Sequence, residues 1–392
     1  MKFKKRSLIQ IFTTSFVIAI SFLYCLYIND YINFRILSIG DMNPYGGWSA
    51  FKSAFTDLSY RWRGFSRSIA LSAAVGVTAL LMGRFFCGFI CPIGALQDFF
   101  KYLGTKLRLK EIKLHGFKIF KPEIIKYFIL IIVLVLSILG AGNLISPFSP
   151  WLAYLNIFAG FNLQFGSIIL LIIMILSLFI KRIFCRCFCP FGAFQSLLYA
   201  VGPLKINKGK NCNGCSHCLK NCPVGIENSD DIIISPECVN CLECTETACV
   251  KESNGFSINF AGRSINNKKY ILISMCIFIG IYAILPLIPT YSDTQLIGSV
   301  GNIKDGLYEG NGIGFGGKME VQVSISKNKV EDIKMIDHME TTGYFEEVFR
   351  EMSKDIIETQ NLNADAISGA TATSRGFLNA VKDAVSKSLD IN

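Results

Sequence analysis

Between Cys212 and Cys249 stand eight of the chain's fifteen cysteines, spaced so tightly that the backbone there must wrap around something other than an apolar core. The first run is Cys212, Cys215, Cys218 and Cys222, followed by Pro223. The second is Cys238, Cys241, Cys244 and Cys249, with one extra residue before its last member and Val250 where the proline would stand. Three thiolates separated by two residues can each hold one corner of an iron–sulfur cube, and a more distant fourth closes it, so the spacing follows from the size of a cluster. Two runs imply two clusters. Structural zinc also takes C-x2-C pairs, but a tetrahedral site has no place for a third cysteine at the same short interval. A disulfide framework belongs to small secreted domains, not to a stretch set between long apolar runs and lysine-rich loops.

The stretch resembles the two-[4Fe-4S] ferredoxin module of many respiratory proteins, in which the fourth cysteine of each run ligates the other run's cluster. The resemblance implies one cluster on Cys212, Cys215, Cys218 and Cys249 and a second on Cys238, Cys241, Cys244 and Cys222.

What flanks the module is apolar. At 392 residues with 51% apolar composition and a mean hydropathy of +0.43, the chain suits membrane embedding better than a soluble fold. Apolar runs at about Ser7–Ile28, Ser68–Cys87, Tyr127–Pro147, Ser167–Ile180 and Tyr270–Leu287 read as five spans. The first lacks the cleavage site of a secretory signal and reads as retained. The net charge of +10 is accounted for by Lys2, Lys4, Lys5 and Arg6 and by the lysine-rich loop from Lys101 to Lys126. That clustering marks cytoplasmic loops under the positive-inside rule and not a nucleic-acid surface. Lys181 and Arg182, then Lys268 and Lys269, agree with the same parity. The N-terminus and the cysteine stretch are therefore expected in the cytoplasm, with everything after Pro289 outside. Residues 29–66 and the uncharged 147–166, with Trp48, Trp62, Trp151 and Tyr154, suit the outer interface. The expected organisation is a multi-domain membrane protein: a helical transmembrane domain at 1–200, the cluster module at 201–266, a last span at 267–290 and an extracytoplasmic domain at 291–392.

Within the membrane domain one pattern occurs twice. Arg84 to Gln97 and Arg182 to Gln195 both read R-x-F-C-x3-C-P-x-G-A-x-Q, and each falls where a span returns to the cytoplasmic face. This is an internal duplication. Cys87 and Cys91, like Cys185 and Cys189, are expected on one face of a helix end, with the following proline acting as a breaker. Small apolar filler would not require the same register twice. The motif resembles the C-x3-C-P signature of the NosR, NapH and CcoG group of membrane polyferredoxins, over roughly residues 65–250. That resemblance implies a redox role for these four thiols. One shared iron–sulfur cluster is the favoured candidate for a third, intramembrane centre, with a thiol or quinone-linked function as the rival. Cys187 has no partner in the first copy and is left out; Cys25 and Cys276 read as buried apolar residues. With only His115, His217 and His338, none in a span, and no C-x-x-C-H, the chain cannot build a bis-histidine haem.

From Tyr291 the composition turns soluble and acidic, and the alternation Met319 to Ile325 predicts a strand with one buried face, followed by a helix over 374–388. The glycine-rich run from Gly306 to Gly317 fits a hairpin or close backbone approach better than a phosphate fingerprint. Together with His338-Met339-Glu340-Thr341 and Ser368-Gly369-Ala370-Thr371, in that order, it resembles the FMN-binding domain of NqrC and RnfG over residues 300–388, an α+β domain. In that family the threonine of S-G-A-T carries FMN through a phosphoester placed by a flavin transferase. The resemblance implies covalent FMN on Thr371, a recognition sequence from Asp365 through Ser368, Gly369 and Ala370, and Glu340 and Thr341 lining the flavin. A phosphodiester at a helix N-terminus would meet free backbone N–H groups.

The whole reads as a membrane electron-transfer flavoprotein, linking a cytoplasmic donor or membrane quinol to an extracytoplasmic acceptor. No substrate pocket or catalytic acid–base pair is identifiable, and no acidic residue lies deep in a span to argue for ion pumping. A NosR-like accessory or regulatory role and a CcoG-like metal-reducing role are the alternatives.

Overall fold

The computed structural model describes residues 5–29, 31–32, 37, 39, 41–44, 67–112, 122–138, 146–159, 165–208, 218, 221–226, 235–246, 256–287, 304–340, 345–362 and 371–388. In chain order the main elements are α1 (Lys5–Ile28), α2 (Arg67–Met82), α3 (Pro92–Lys106), α4 (Ile125–Ile138), α5 (Pro150–Ala159), α6 (Phe165–Phe179), α7 (Ile183–Cys187) and α8 (Pro190–Val201). There follow β1 (Leu204–Lys208), α9 (Glu243–Glu246), β2 (Phe256–Phe260), β3 (Arg263–Ile265) and α10 (Asn267–Ile284), then β4 (Gly306–Ile313), β5 (Lys318–Ser326), β6 (Lys329–His338), α11 (Phe345–Thr359) and α12 (Thr371–Lys387). They form two compact units, one of residues 1–19, 72–136 and 165–284, the other of 20–71, 137–164 and 285–392.

Among the described residues two helices are long and apolar enough to cross a bilayer, Arg6–Tyr27 and Asn267–Leu287. At 1.5 Å per residue each spans roughly 30 Å, the thickness of the hydrocarbon core. The three middle runs form shorter apolar helices, Arg67–Met82, Ile125–Ser137 and Phe165–Phe179. The run expected to reach Cys87 stops at Met82, because Gly83 turns left-handed (φ 72°) and the buried Arg84 follows. Helices α4 and α6 keep β-branched residues in register despite their modest helix propensity, and Ile131, Ile132, Ile168 and Ile175 stay exposed. Apolar faces of that extent suit lipid as the solvent.

In the first unit α3 lies against α6 so closely that a Cβ on Gly104 would come within 2.1 Å of the Leu178 carbonyl. Lys101 Nζ and the Ile112 amide satisfy the Phe179 carbonyl at 3.0 and 3.1 Å, closing the C-terminus of α6. The cysteine-rich stretch is closed at its ends by a small antiparallel sheet of order β1-β2-β3, with Leu204 opposite Phe260 and Lys208 opposite Phe256. Phe85, Phe89, Leu204, Ile258, Leu242 and Tyr270 form the core beneath it. The charge-free segment expected as an outer connection contains α5, whose Trp151 Nε1 donates to the Met42 carbonyl at 3.2 Å within the second unit.

The C-terminal fold is a three-stranded antiparallel sheet, β4-β5-β6, with α11 and α12 packed on one face. In β5 the alternation is complete: Met319, Val321, Val323 and Ile325 point into the core beside Val348, Met352, Phe377 and Val381. The glycine-rich run forms strand β4 and the turn that follows it, and the strand's glycines serve close approach: a Cβ on Gly312 would sit 2.0 Å from the Gly376 carbonyl of α12, and one on Gly310 equally close to that of Ala380. Gly312→Val should therefore destabilise this domain by about 1–3 kcal/mol, seen as a lower midpoint in thermal unfolding of the full-length protein; an unchanged midpoint would contradict the packing.

Candidate iron–sulfur and flavin sites

Five of the module's cysteines, Cys218, Cys222, Cys238, Cys241 and Cys244, line one cavity. Among the described residues no three of these side chains converge on one point as the ligands of a single ion would; they ring a space. Cys222, from the first run, lines the same cavity as Cys238, Cys241 and Cys244 of the second. That is the set which the ferredoxin resemblance implies for one cluster. Cys212, Cys215 and Cys249 lie outside the described residues. Burial pushes the Cys241 thiol up to about 11, with Arg6 pulling the other way, and also raises Cys238 and Cys244. Iron binds thiolates, so loading this cavity must displace protons.

The duplicated motifs meet as a pseudo-symmetric pair. In both copies the backbone winds wide: Cys91 N–H donates to the Phe86 carbonyl and Cys189 N–H to the Phe184 carbonyl, five residues back, each at 2.9 Å. Cys87 lies in a π-turn (Phe86–Ile90) and Cys185 in α7, while Cys91 and Cys189 cap the next helices, α3 and α8. The expectation of two cysteines on one helix face is therefore corrected. The proline occupies the first turn of the helix it begins, where its missing N–H costs nothing.

Each arginine crosses to the other copy. Arg182 Nη1 donates to the Cys87 carbonyl at 2.9 Å and packs on Gly94; Arg84 packs on Gly192, whose Cβ would also meet the Cys185 carbonyl. The crossing brings Cys87, Cys91, Cys185 and Cys189 close enough to act on one another electrostatically. Gln97 Nε2 donates to Cys185 Sγ at 3.2 Å, and its Oε1 accepts from Phe184 N–H at 3.1 Å. Gln195, its counterpart, is fully buried with both amide atoms unpartnered, as is Arg84 Nε. An orphaned guanidinium N–H on Arg84, within electrostatic reach of Cys87, Cys185 and Cys189, is what a bound group rich in sulfur acceptors would satisfy. Cys187 faces Arg186, Glu123, Lys126 and Glu237 instead.

Module and motif share one core. Cys87 is buried with Val224, Val239 and Cys241, with Cys222 packed alongside. A Cβ on Gly88 would lie 2.4 Å from the Val239 carbonyl, so the π-turn rests directly on the cysteine loop. Asn240 locks the contact, its Oδ1 accepting from Arg84 N–H at 3.0 Å.

In the C-terminal domain Thr371 opens α12. Glu340, buried, accepts from Thr373 Oγ1 at 2.7 Å and from Gly316 N–H at 3.0 Å, tying the glycine hairpin to the first turn of that helix. His338 stacks on Phe345, with ring centroids 3.8 Å apart. Thr341 and the segment Asp365, Ser368, Gly369 and Ala370 lie outside the described residues.

Residues 63–110 and 162–209 each match the 4Fe-4S binding domain family, and 314–386 match the FMN-binding domain. The first two matches each contain one C-x3-C-P motif and end before Cys212. The uncharacterized protein MJ0750 of Methanocaldococcus jannaschii is 33% identical over 50% of this chain and 81% of its own length. The putative electron transport protein YccM of Escherichia coli is 29% identical over 53% of this chain and 59% of its own. The chain belongs to this group of ferredoxin-type 4Fe-4S proteins. The regulatory protein NosR of Pseudomonas aeruginosa is 28% identical over 48% of the chain, which spans 27% of NosR. Joined to the FMN-binding domain, the two 4Fe-4S matches make this an iron–sulfur and FMN-binding protein.

The placement of Cys222 has a direct check. If Cys222 shares a cluster with Cys238, the double variant Cys222→Ser/Cys238→Ser loses about four irons per chain, the content of one cube. Loss of about eight would mean that each run holds its own cluster.

Proposed function

We propose that this chain relays electrons across the cytoplasmic membrane, between cytoplasmic [4Fe-4S] clusters or a membrane quinol and an FMN held covalently on Thr371 outside. The observation that supports the reading is the shared core of Cys87, Val239 and Cys241, which packs one thiol of the quartet against the module's cysteine loop. When bound, the clusters supply one-electron transfer and the flavin either one- or two-electron transfer.

The chain's own residues position and insulate. Cys222, Cys238, Cys241 and Cys244 would hold one module cluster, and Cys212, Cys215, Cys218 and Cys249 the other. Cys87, Cys91, Cys185 and Cys189 would hold a third. The buried Phe85, Phe89 and Leu242 exclude water between module and motif. On the flavin side, Glu340 fixes the start of α12, where backbone N–H groups favour a phosphate, and Asp365 to Ala370 would be read by the flavin transferase. Five spans, with the basic N-terminus and module inside and the FMN domain outside, follow from Lys2 to Arg6, the 101–126 loop and Lys268–Lys269. The two long apolar helices and three shorter ones support that count. The likeness to a protein named as regulatory favours, as a second reading, service to another enzyme.

Two measurements test the proposal. Flavin fluorescence should stay with the protein on a denaturing gel and vanish in Thr371→Ala; persistence would remove the attachment site. Purified protein should hold about twelve irons per chain, three cubes; about eight, unaltered in Cys91→Ser, would remove the third centre.

A further inference from the structure

The crossing that gathers the four thiols also surrounds them with charge, and one of those charges comes from outside the repeat. Asp98 follows Gln97 in the first copy, and Ser196 stands at that register in the second. Arg182 donates to the Asp98 carboxylate through Nε at 2.8 Å and Nη2 at 2.6 Å. Arg6 pairs with the same carboxylate, and Gln10 Nε2 adds a bond at 3.1 Å.

At Arg84 the matching carboxylate is missing from the repeat and is supplied by Glu237 of the cysteine-rich module. Arg84 Nη1 donates to the Glu237 backbone carbonyl at 3.0 Å and to its side chain at 3.3 Å. Lys126 pairs with that carboxylate, Tyr127 donates to it at 2.7 Å, and Ser196 Oγ reaches it at 3.4 Å. Each copy's arginine thus meets a carboxylate that holds a second cation. Each carboxylate is thus held between two cations, Asp98 between Arg182 and Arg6 and Glu237 between Arg84 and Lys126.

The balance of this shell is positive. Glu243 sits on the other side of Arg6 at 3.4 Å, and the neighbouring Arg186–Glu123 pair, at 3.1 Å, is neutral. Among the described residues Arg6, Arg84, Lys126 and Arg182 therefore pair only with Asp98, Glu237 and Glu243. Arg84 and Arg182 are each 1% exposed and Lys126 not at all. An uncompensated cation at such depth is costly unless a negative group lies nearby. Beyond their carboxylates, Arg84 also lies within electrostatic reach of Cys87, Cys185 and Cys189, and Arg182 of Cys185 and Cys241. As neutral thiols they offset nothing, whereas four thiolates around a [4Fe-4S] core carry a net charge of about minus two.

We propose that Arg84–Glu237–Lys126 and Arg182–Asp98–Arg6 are a matched pair of positioning triads around a cluster on Cys87, Cys91, Cys185 and Cys189, and that Glu237, standing in for the acid which the second copy lacks at Ser196, sets that cluster's reduction potential. This rests on the reading of the quartet as a cluster site. A negative charge near the centre disfavours the more negative, reduced state. Removing it raises the potential, and removing a cation lowers it.

The test is a redox titration followed by EPR on the purified full-length protein, using the signal abolished by Cys91→Ser. Glu237→Gln should move its midpoint to higher potential, Glu237→Asp should leave it near wild type, and Ser196→Asp/Glu237→Gln, which returns the acid to the repeat's own register, should bring it back. A wild-type midpoint in Glu237→Gln would overturn the assignment. Should Glu237→Gln fail to load iron, Lys126→Met decides: a lower midpoint supports the triads and an unmoved one overturns them. If Cys91→Ser abolishes no signal and loses no iron, the cluster reading itself fails, whatever Glu237 does.

Discussion

Two arginines, each folded into the other copy of a duplicated motif, hold the first unit together. Arg182 lies on Gly94 and the Cys87 carbonyl, Arg84 on Gly192 beside the Cys185 carbonyl, and a Cβ at either glycine would crowd the guanidinium. Because both guanidiniums are buried, each must find carboxylate and carbonyl partners; losing one would cost about 3–5 kcal/mol. Meeting that demand draws Asp98, Arg6, Glu237 and Lys126 to one place and so fixes α1, α3, α4 and the module against the motif. The gathered thiols are a consequence of that crossing.

The same geometry explains why the module sits where it does. Gly88 lets the π-turn touch Val239, Asn240 caps the turn at Arg84, and Glu237 enters the register where the second copy has only a serine. A duplicated motif with one acid lost is incomplete alone and complete with the module docked. Close packing of Cys87 and Cys241 in one buried core suits electron transfer between two centres.

Much of this was legible in the residues. Thiol spacing and the repeated R-x-F-C-x3-C-P-x-G-A-x-Q carry strong local constraints, and strand β5 and helix α12 follow directly from their periodicity. What the sequence hid was non-local. The cysteine pairs read as one helix face because i and i+4 spacing suggests it, whereas the wide turn places Cys91 and Cys189 at caps and makes each proline a beginning. Glu237, 41 positions past Ser196, gives no local sign of pairing with Arg84; only the absence of an acid at Ser196, read against Asp98, could have raised the question. The glycines of β4 are recognisable as a close approach, yet that α12 is what approaches emerges only from the packing.

The central claim is that electrons entering at the cytoplasmic module reach the flavin through the thiol quartet. Its most direct test uses inside-out vesicles given a membrane-impermeant reductant, with bleaching of the covalent flavin followed in wild type and in Cys91→Ser. The account predicts rapid bleaching in wild type and none above leakage in the variant. Equal bleaching in both, or none in either, would contradict it.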